Sequence, residues 1–459
     1  MAQERPTIHL APHFHFDPVW IEDQRTYTRR AFELVRQLLA ACRTDEGYHI
    51  ILSELDYLKP FLSAYGEDRE FVRDLAAAGR LETGGSYGQP NEMSLQGEAL
   101  LRNLLHGGLY HEGMLGLQPA VYMPLDVFGH CLQLPQIVAK AGFEAILWSK
   151  DIAGVPPLCY LLAPDGTTLL QKHEPYTYQP ESLEALLNTV SNGLTHQTAL
   201  GLRHDLRLLG GDMTPPPPWL TGKSGKLSAR DPAVLISTPQ RYLTAVKPEA
   251  RIRRAMIPLL GRDFSWYHAG TVVSRAELKI ANRLAENRLL AAEKWATLAG
   301  LLGARYPDAG LDKAWRQVLF GQHHDAITGS CSDIPFLDLL AGYRESLDLA
   351  SEIEERALDY IAGRIGTRSG RRAPRDGSAL VVFNSLGWQR TDVCRARDEL
   401  RGSLSAGFRL TDDDGDEVPC QLVAGSQDGG ARWVEIVFLA TDIPSVGYRT
   451  YYLRPAREA

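Results

Sequence analysis

Short apolar runs alternate with helical patterns along residues 1–255, and this alternation restricts the fold more than any other feature of the chain. The candidate strands are Thr7–Ala11, His49–Ser53, Ala120–Leu125, Ala145–Ser149 and Leu206–Leu209. The candidate helices are Arg29–Ala41, Glu98–His106 and Leu132–Ala141. Repeated strand–helix–strand order is typical of βαβ units, so we expect an α/β domain built on a parallel sheet or barrel. In such folds ligands bind at the C-terminal ends of the strands.

The pattern changes further along the chain. Residues 256–366 carry apolar side chains at helical spacing over Ala276–Leu302 and Phe336–Ile365, which predicts a helical bundle domain. Residues 367–377 are rich in Arg, Gly and Pro and are typical of a solvated linker. Residues 378–459 contain short strand-like runs between Asp/Gly turns, which predicts a β-rich domain.

Composition restricts the functional class. A chain of 459 residues is expected to form about three domains, at roughly 150 residues each. The net charge of -7 gives no reason to expect nucleic acid or an anionic membrane as a partner. No apolar run approaches the ~20 residues of a membrane span, and the N-terminus lacks the apolar segment of a secretory signal. The six cysteines show no CxxC spacing, so we expect free thiols and a cytoplasmic enzyme.

A cluster of polar residues follows the first candidate strand. In an extended backbone, His13, His15 and Asp17 would share one face, and the phenylalanines between them would take the other. Two imidazoles and a carboxylate at a strand end are good ligands for a divalent metal and are costly to bury unpaired. Satisfied histidines at a polar strand end are the alternative.

Three further clusters share this character. Asp126 and Asp212 each follow an apolar run and lie beside glycines, although either could be a structural turn residue. His323, His324 and Asp325 follow a helical run at Trp315–Leu319. Since adjacent side chains point in different directions, only one of the two histidines is expected to bind a metal.

Together these strings resemble glycoside hydrolase family 38, the retaining zinc-dependent α-mannosidases. Residues His13–Trp20 are similar to the family's H-x-H-x-D-x-x-W, Asp126–His130 to its D-x-F-G-H, and Gln322–Gly329 to its H-H-D-x-I-T-G. Weaker similarities cover residues 84–107, 270–283 and 381–388, so the resemblance extends over essentially the whole chain. It implies a seven-stranded α/β barrel-like domain, then a helical bundle that contributes a zinc ligand, then the start of a β-rich domain.

The resemblance also implies roles for individual residues. One Zn²⁺ per chain would be held by His15, Asp17, Asp126 and His324. Asp126 would also be the nucleophile that forms a covalent glycosyl-enzyme. The residues expected to contact the sugar are Trp20, Phe128, Asp325 and Asp263. The substrate would be an α-mannoside oligosaccharide, and a homo-oligomer is possible. Paired carboxylates roughly 5–5.5 Å apart support hydrolysis with retention.

The general acid/base is the open assignment. Asp212 lies where relatives carry G-x-D, but Met213 and four prolines replace the usual continuation, which leaves Asp263 as a rival. Family members extend well beyond the equivalent of residue 459, so part of the sugar pocket is expected to be missing. Two alternatives therefore stay open: an inactive zinc- or sugar-binding remnant, and a metal-dependent hydrolase of the amidohydrolase type.

Overall fold

The computed structural model describes residues 5–150, 154–176, 179–367, 377–399, 407–428 and 431–455. The chain forms two compact units: Met1–Glu286 with Lys313–Leu347, and Asn287–Asp312 with Asp348–Ala459. The predicted linker at 367–377 lies outside the described residues except at its two ends. The domain boundaries expected from the sequence, after residues 255, 366 and 377, stay a prediction.

The helices have the following bounds: α1 Gln24–Thr44, α2 Leu55–Ala64, α3 Arg69–Ala77, α4 Gly97–Leu115, α5 Leu134–Lys140, α6 Leu183–Ala199, α7 Ser224–Ser228, α8 Pro239–Ile252, α9 Ala276–Leu301, α10 Asp308–Gly321, α11 His324–Ile327 and α12 Asp333–Ala362. The strands are β1 Thr7–Pro12, β2 Ile50–Leu52, β3 Leu81–Thr83, β4 Val121–Tyr122, β5 Ala145–Trp148, β6 Leu158–Leu162, β7 Thr168–His173, β8 His204–Leu209, β9 Ala233–Ile236, β10 Leu259–Leu260, β11 Ser378–Asn384, β12 Arg390–Glu399, β13 Phe408–Thr411, β14 Cys420–Asp428, β15 Ala431–Ile443 and β16 Gly447–Pro455. Each candidate strand and helix of the sequence overlaps one of these elements.

The described residues of the first unit form three sheets. Strand β1 lies between β8 and β9 and is parallel to both. A five-stranded sheet has the order β10-β6-β7-β5-β4, with only the β6–β7 pair antiparallel, and β2 pairs in parallel with β3. The α/β class is therefore confirmed. The described strands form separate ladders of three, five and two strands, so a seven-stranded barrel is not confirmed.

Strand β1 is the central strand of its three-stranded sheet, and its burial fits that position. Every residue of β1 is buried, as expected for a parallel strand covered on both faces. Helix α1 begins after Asp23, whose carboxylate accepts a hydrogen bond from the Thr26 amide at 2.7 Å. One face of α1 buries Leu34, Leu38 and other apolar residues in the core around β1. The buried, packed strand therefore holds the residues that follow it in a defined position.

The second unit contains two antiparallel three-stranded sheets, β11-β16-β13 and β12-β15-β14. Leu410, Phe438, Tyr451 and neighbouring apolar residues of both sheets form one buried cluster. In the same unit, Trp295 of α9 packs edge-on against Phe383 of β11, with ring centroids 5.2 Å apart. The β-rich C-terminal region is confirmed.

All six cysteines are free. Every helix among the described residues is too short or too polar to cross a lipid bilayer.

Candidate metal centre and active site

The segment after β1 continues the parallel pairing with β8 beyond both strands. The His13 amide donates to Leu209 O at 2.9 Å, and the His15 amide donates to Gly211 O at 3.0 Å. Gly210 permits this path, because its φ is +147° and a Cβ there would lie 1.9 Å from the His13 carbonyl oxygen. Phe14 and Phe16 both pack on Tyr57, so these two side chains share one face, as the alternation predicts.

Two imidazoles and three carboxylates meet beyond this strand end. Asp17 Oδ1 lies 3.0 Å from His15 Nε2 and 3.1 Å from His324 Nε2. His324 Nε2 is also 3.5 Å from Asp126 Oδ2 and 3.7 Å from Asp325 Oδ2. All five residues are buried. The structure thus brings the four predicted zinc ligands together, although they come from distant parts of the sequence.

The carboxylates control the protonation of these histidines. Burial alone would lower the pKa of His15, but Asp17 and other nearby carboxylates raise it to about 9. Burial likewise opposes protonation of His324, yet the nearby carboxylates of Asp126 and Asp17 hold its pKa well above the usual value. Burial would raise the pKa of Asp126, but His324, His15 and Lys150 lower it to about 2. Without a metal, two imidazolium protons therefore balance the buried carboxylates.

This donor set fits a divalent cation such as Zn²⁺. One possible ligand atom from each of His15, Asp126 and His324 lies within 4.8 Å of the others, and the same holds for His15, Asp17 and Asp212. His324 Nε2, at the centre of the cluster, is buried and has no hydrogen-bond partner of good geometry. Imidazole and carboxylate donors are those that zinc takes in proteins. The cluster could therefore hold one metal ion.

The loop that carries Asp126 is fixed from outside the cluster. Glu92 accepts hydrogen bonds from Tyr122 Oη at 3.0 Å and from His130 Nδ1 at 2.9 Å, and it is buried. Gly129 has φ +124°, and a Cβ there would lie 2.3 Å from Phe264 O. Glu92 thus connects Tyr122 in β4 with His130 at the end of the turn, on either side of Asp126 in the sequence.

Lys150 and Tyr176 contact the proposed catalytic carboxylates and were not predicted from the sequence. Lys150 Nζ donates to Asp126 Oδ1 at 2.5 Å and lies 4.5 Å from the Phe128 ring centroid. The Tyr176 side chain lies near both Asp126 and Asp212 and interacts electrostatically with each carboxylate. The tyrosine therefore connects the two carboxylates that the family resemblance assigns to nucleophile and general acid/base.

Asp212 and Asp263 have different surroundings. Asp212 is exposed to solvent on one side, yet it forms an isolated parallel bridge with His15, and loss of solvation raises the pKa of its carboxyl. Asp263 is exposed, and its Oδ1 accepts from the Ser265 hydroxyl at 2.8 Å. Of the two candidates for acid/base, the structure brings only Asp212 to the cluster.

Two of the remaining predicted residues, Phe128 and Asp325, lie beside His324. The Phe128 ring is 5.6 Å from that of His324, and Trp20 packs partly on the core that supports β1. Asp325 Oδ1 accepts from Ser330 Oγ at 2.5 Å, and burial raises the pKa of Asp325 to about 7. His13 Nε2 donates to Tyr176 O at 2.9 Å, which turns it away from the cluster.

Family models match this chain over most of its length. The glycosyl hydrolases family 38 N-terminal domain matches residues 5–270, and the alpha mannosidase middle domain matches residues 266–361.

Similar proteins with curated names are longer than this chain. Alpha-mannosidase 2C1 of Mus musculus is 25% identical over 409 residues, covering 85% of this chain and 38% of the relative. Alpha-mannosidase G of Dictyostelium discoideum is 26% identical over 317 residues, covering 66% of this chain and 28% of the relative. The chain thus spans less than two fifths of the length of each of these relatives.

A solved structure shares the fold. An alpha-mannosidase from Enterococcus faecalis V583 aligns with a TM-score of 0.83 at 20% identity, over 99% of this chain and 57% of that chain. The family models match more than half of the residues, and the fold agrees with that of the solved alpha-mannosidase. The chain belongs to glycosyl hydrolase family 38.

Proposed function

We propose that this chain is the catalytic portion of a retaining, zinc-dependent α-mannosidase that removes terminal α-mannosyl groups from oligosaccharides. The observation that carries the proposal is the buried meeting of His15, Asp17, Asp126 and His324, with Asp212 beside them. The family membership supports the reaction class. The seven-stranded barrel-like arrangement, a cytoplasmic location and a homo-oligomer belong to the same proposal as expectations from the sequence.

Asp126 would act as nucleophile, because its low pKa keeps it ionised at neutral pH. Its carboxylate would attack the anomeric carbon, form the glycosyl-enzyme ester and release the leaving oxygen. Asp212, whose pKa is raised, would give its proton to that oxygen and then take a proton from the incoming water. Tyr176 would keep the two carboxyl groups in fixed relation.

Trp20 and Phe128 would pack on the sugar ring, and Asp325 would accept hydrogen bonds from its hydroxyls. Bound at the cluster, zinc would supply a Lewis-acidic centre for two sugar hydroxyls, which favours mannose. The chain's own part is to hold four ligands in a dry, buried position, where electrostatic interactions are stronger than in water.

The test is hydrolysis of an aryl α-D-mannoside by protein whose metal content is known, before and after chelation. We expect turnover that chelation removes and zinc restores, and no turnover by Asp126→Ala. Bound zinc without turnover would instead indicate a mannosidase-like remnant. Activity on an acylated amine with none on the mannoside would favour an amidohydrolase. Absence of bound metal would refute the proposed centre.

A further inference from the structure

Gln89 is buried beside the cluster and forms hydrogen bonds with two of its members, Asp126 and His324. It follows strand β3 in a loop whose next residues pair with the segment before His324, as Pro90 forms an isolated antiparallel bridge with His323. Its relative exposure is 1%, so each of its polar groups needs a partner inside the protein. Those partners belong to, or lie next to, three of the four proposed zinc ligands: His15, Asp126 and His324.

The main chain of Gln89 orients His324. Its carbonyl oxygen accepts from the His324 amide at 2.9 Å and from His324 Nδ1 at 3.2 Å. Because a carbonyl oxygen can only accept, Nδ1 must carry a hydrogen. The other ring nitrogen, Nε2, is then the one directed at Asp17 and Asp126.

The side chain of Gln89 reaches the other two segments. Its Oε1 accepts from the Asp126 amide at 3.3 Å, and its Nε2 donates to Glu54 Oε1. The same Glu54 oxygen lies 3.8 Å from His15 Nδ1, the ring nitrogen on the side away from Asp17. Glu54 is 1% exposed, so this carboxyl group is confined between the amide and the imidazole.

We propose that Gln89, acting with Glu54, is a positioning residue that sets the orientation of the ligands His15, Asp126 and His324 for metal binding. This inference rests on the proposed function, since it concerns the same centre. Groups that hydrogen bond to metal ligands fix the orientation of those ligands, and their loss commonly weakens metal binding about 10–100-fold. Here one buried amide performs that task for segments from three distant parts of the chain.

The experiment compares Zn²⁺ dissociation constants of the full chain, measured by competition with a chelating dye. Gln89→Met keeps the length of the side chain and the main-chain carbonyl but removes both side-chain hydrogen bonds. We expect its Zn²⁺ dissociation constant to rise about 10–100-fold. Cobalt substitution gives a second readout, because the visible bands of Co²⁺ report ligand geometry and should change in the same variant.

Gln171→Met is the matched control. Gln171 is equally buried, but its side chain donates to Cys159 Sγ at 3.8 Å and not to the cluster. We expect its zinc affinity and cobalt spectrum to equal those of the wild type. If Gln89→Met does not fold, Glu54→Met removes the other end of the same hydrogen bond and must show the same loss of affinity. If both fold, the double variant should lose little more than either one.

The outcomes separate this inference from the proposed function. Zinc binding by the wild type with equal affinity and an equal cobalt spectrum in Gln89→Met would overturn only the role of Gln89. A wild type that binds no zinc would overturn the proposed centre itself, and the inference with it. A loss of affinity of the same size in Gln171→Met would assign the effect to general loosening of the core and would also overturn the inference.

Discussion

Replacing Lys150 by methionine should make the covalent intermediate accumulate. Lys150 Nζ lies 2.5 Å from Asp126 Oδ1, and the side chains are 15% and 9% exposed. The lysine is held in place, because its carbonyl oxygen accepts from His173 Nε2 at 2.6 Å. If Asp126 is the nucleophile, its attack on the sugar removes the negative charge that the lysine stabilises, and hydrolysis of the ester restores that charge.

The interaction between Lys150 and Asp126 determines both the direction and the size of the expected effect. Two unit charges about 4 Å apart at an effective dielectric constant of about 20 interact by about 4 kcal/mol. We take about half of this, because Lys150 is partly exposed and His15 and His324 also stabilise the carboxylate. A loss of about 2 kcal/mol in the second step corresponds to a rate about 30-fold lower. The first step should be unchanged or faster.

The assay is stopped-flow hydrolysis of a dinitrophenyl α-mannoside. Lys150→Met should show a burst of dinitrophenolate, a fall in kcat of about 30-fold, a parallel fall in KM and a covalent hexosyl adduct by mass spectrometry. Lys150→Arg keeps the cation and should behave much like the wild type. Lys140→Met, at a lysine paired with Asp165 on the surface, is the control for removal of a charge. Equal losses in kcat and kcat/KM without a burst would refute the reasoning.

Three other predictions follow from the site. Asp212→Ala should slow hydrolysis of a phenyl mannoside about 10²–10⁴-fold, but it should spare a dinitrophenyl mannoside, whose leaving group needs no proton. Asp263→Ala should change either rate less than about twofold. The reverse result would assign the acid/base role to Asp263. Zinc must displace the proton of His15, whose pKa is about 9. Zinc titrations should therefore show a Zn²⁺ affinity that rises about tenfold or more per pH unit from pH 7 to 9. An affinity that does not change with pH would contradict this protonation state. Gly210→Ala should lower the free energy of unfolding in urea by about 3 kcal/mol, because its Cβ would meet the His13 carbonyl; unchanged stability would contradict the described turn.

The fold was predictable where an element is long or strongly patterned. Helix α9 begins at the predicted residue, and β1 and β5 lie where the apolar runs do. The hairpin of β6 and β7 was missed even though Asp165-Gly166 is a turn signal, with Gly166 at φ +86°. Its strands are flanked by short apolar runs on both sides, so periodicity alone does not separate them.

The sequence marks candidate site residues where several polar residues stand together. His15, Asp17 and His324 occur in clusters that are costly to bury, and this marks them in one sequence. Gln89 and Tyr176 occur singly among ordinary neighbours and carry no such mark. Their proposed roles depend on contacts with residues far away in the sequence, and one sequence alone does not show which residues come into contact.

A weaker signal connects most of the missed residues to those that were found. Lys150 follows β5, Tyr176 follows β7 and Glu54 follows β2, each within a few residues of the strand end, as Asp126 follows β4 and Asp212 follows β8. The parallel strands therefore deliver cations, carboxylates and a phenol to one end of the fold. A list of the first two polar residues after every strand would have included these positions, but only after the short strands were located.

The charge balance explains how such a set of residues can be buried before any metal is bound. His15 and His324 hold protons against Asp17 and Asp126, and Lys150 adds a further positive charge beside Asp126. A divalent ion that displaces the two imidazolium protons leaves the net charge of the cluster unchanged. In the proposed centre, protons would therefore take the place of the metal during folding, with the four proposed ligands already close together. We expect metal binding to require deprotonation of His15 and His324, and we therefore expect pH to control metal affinity.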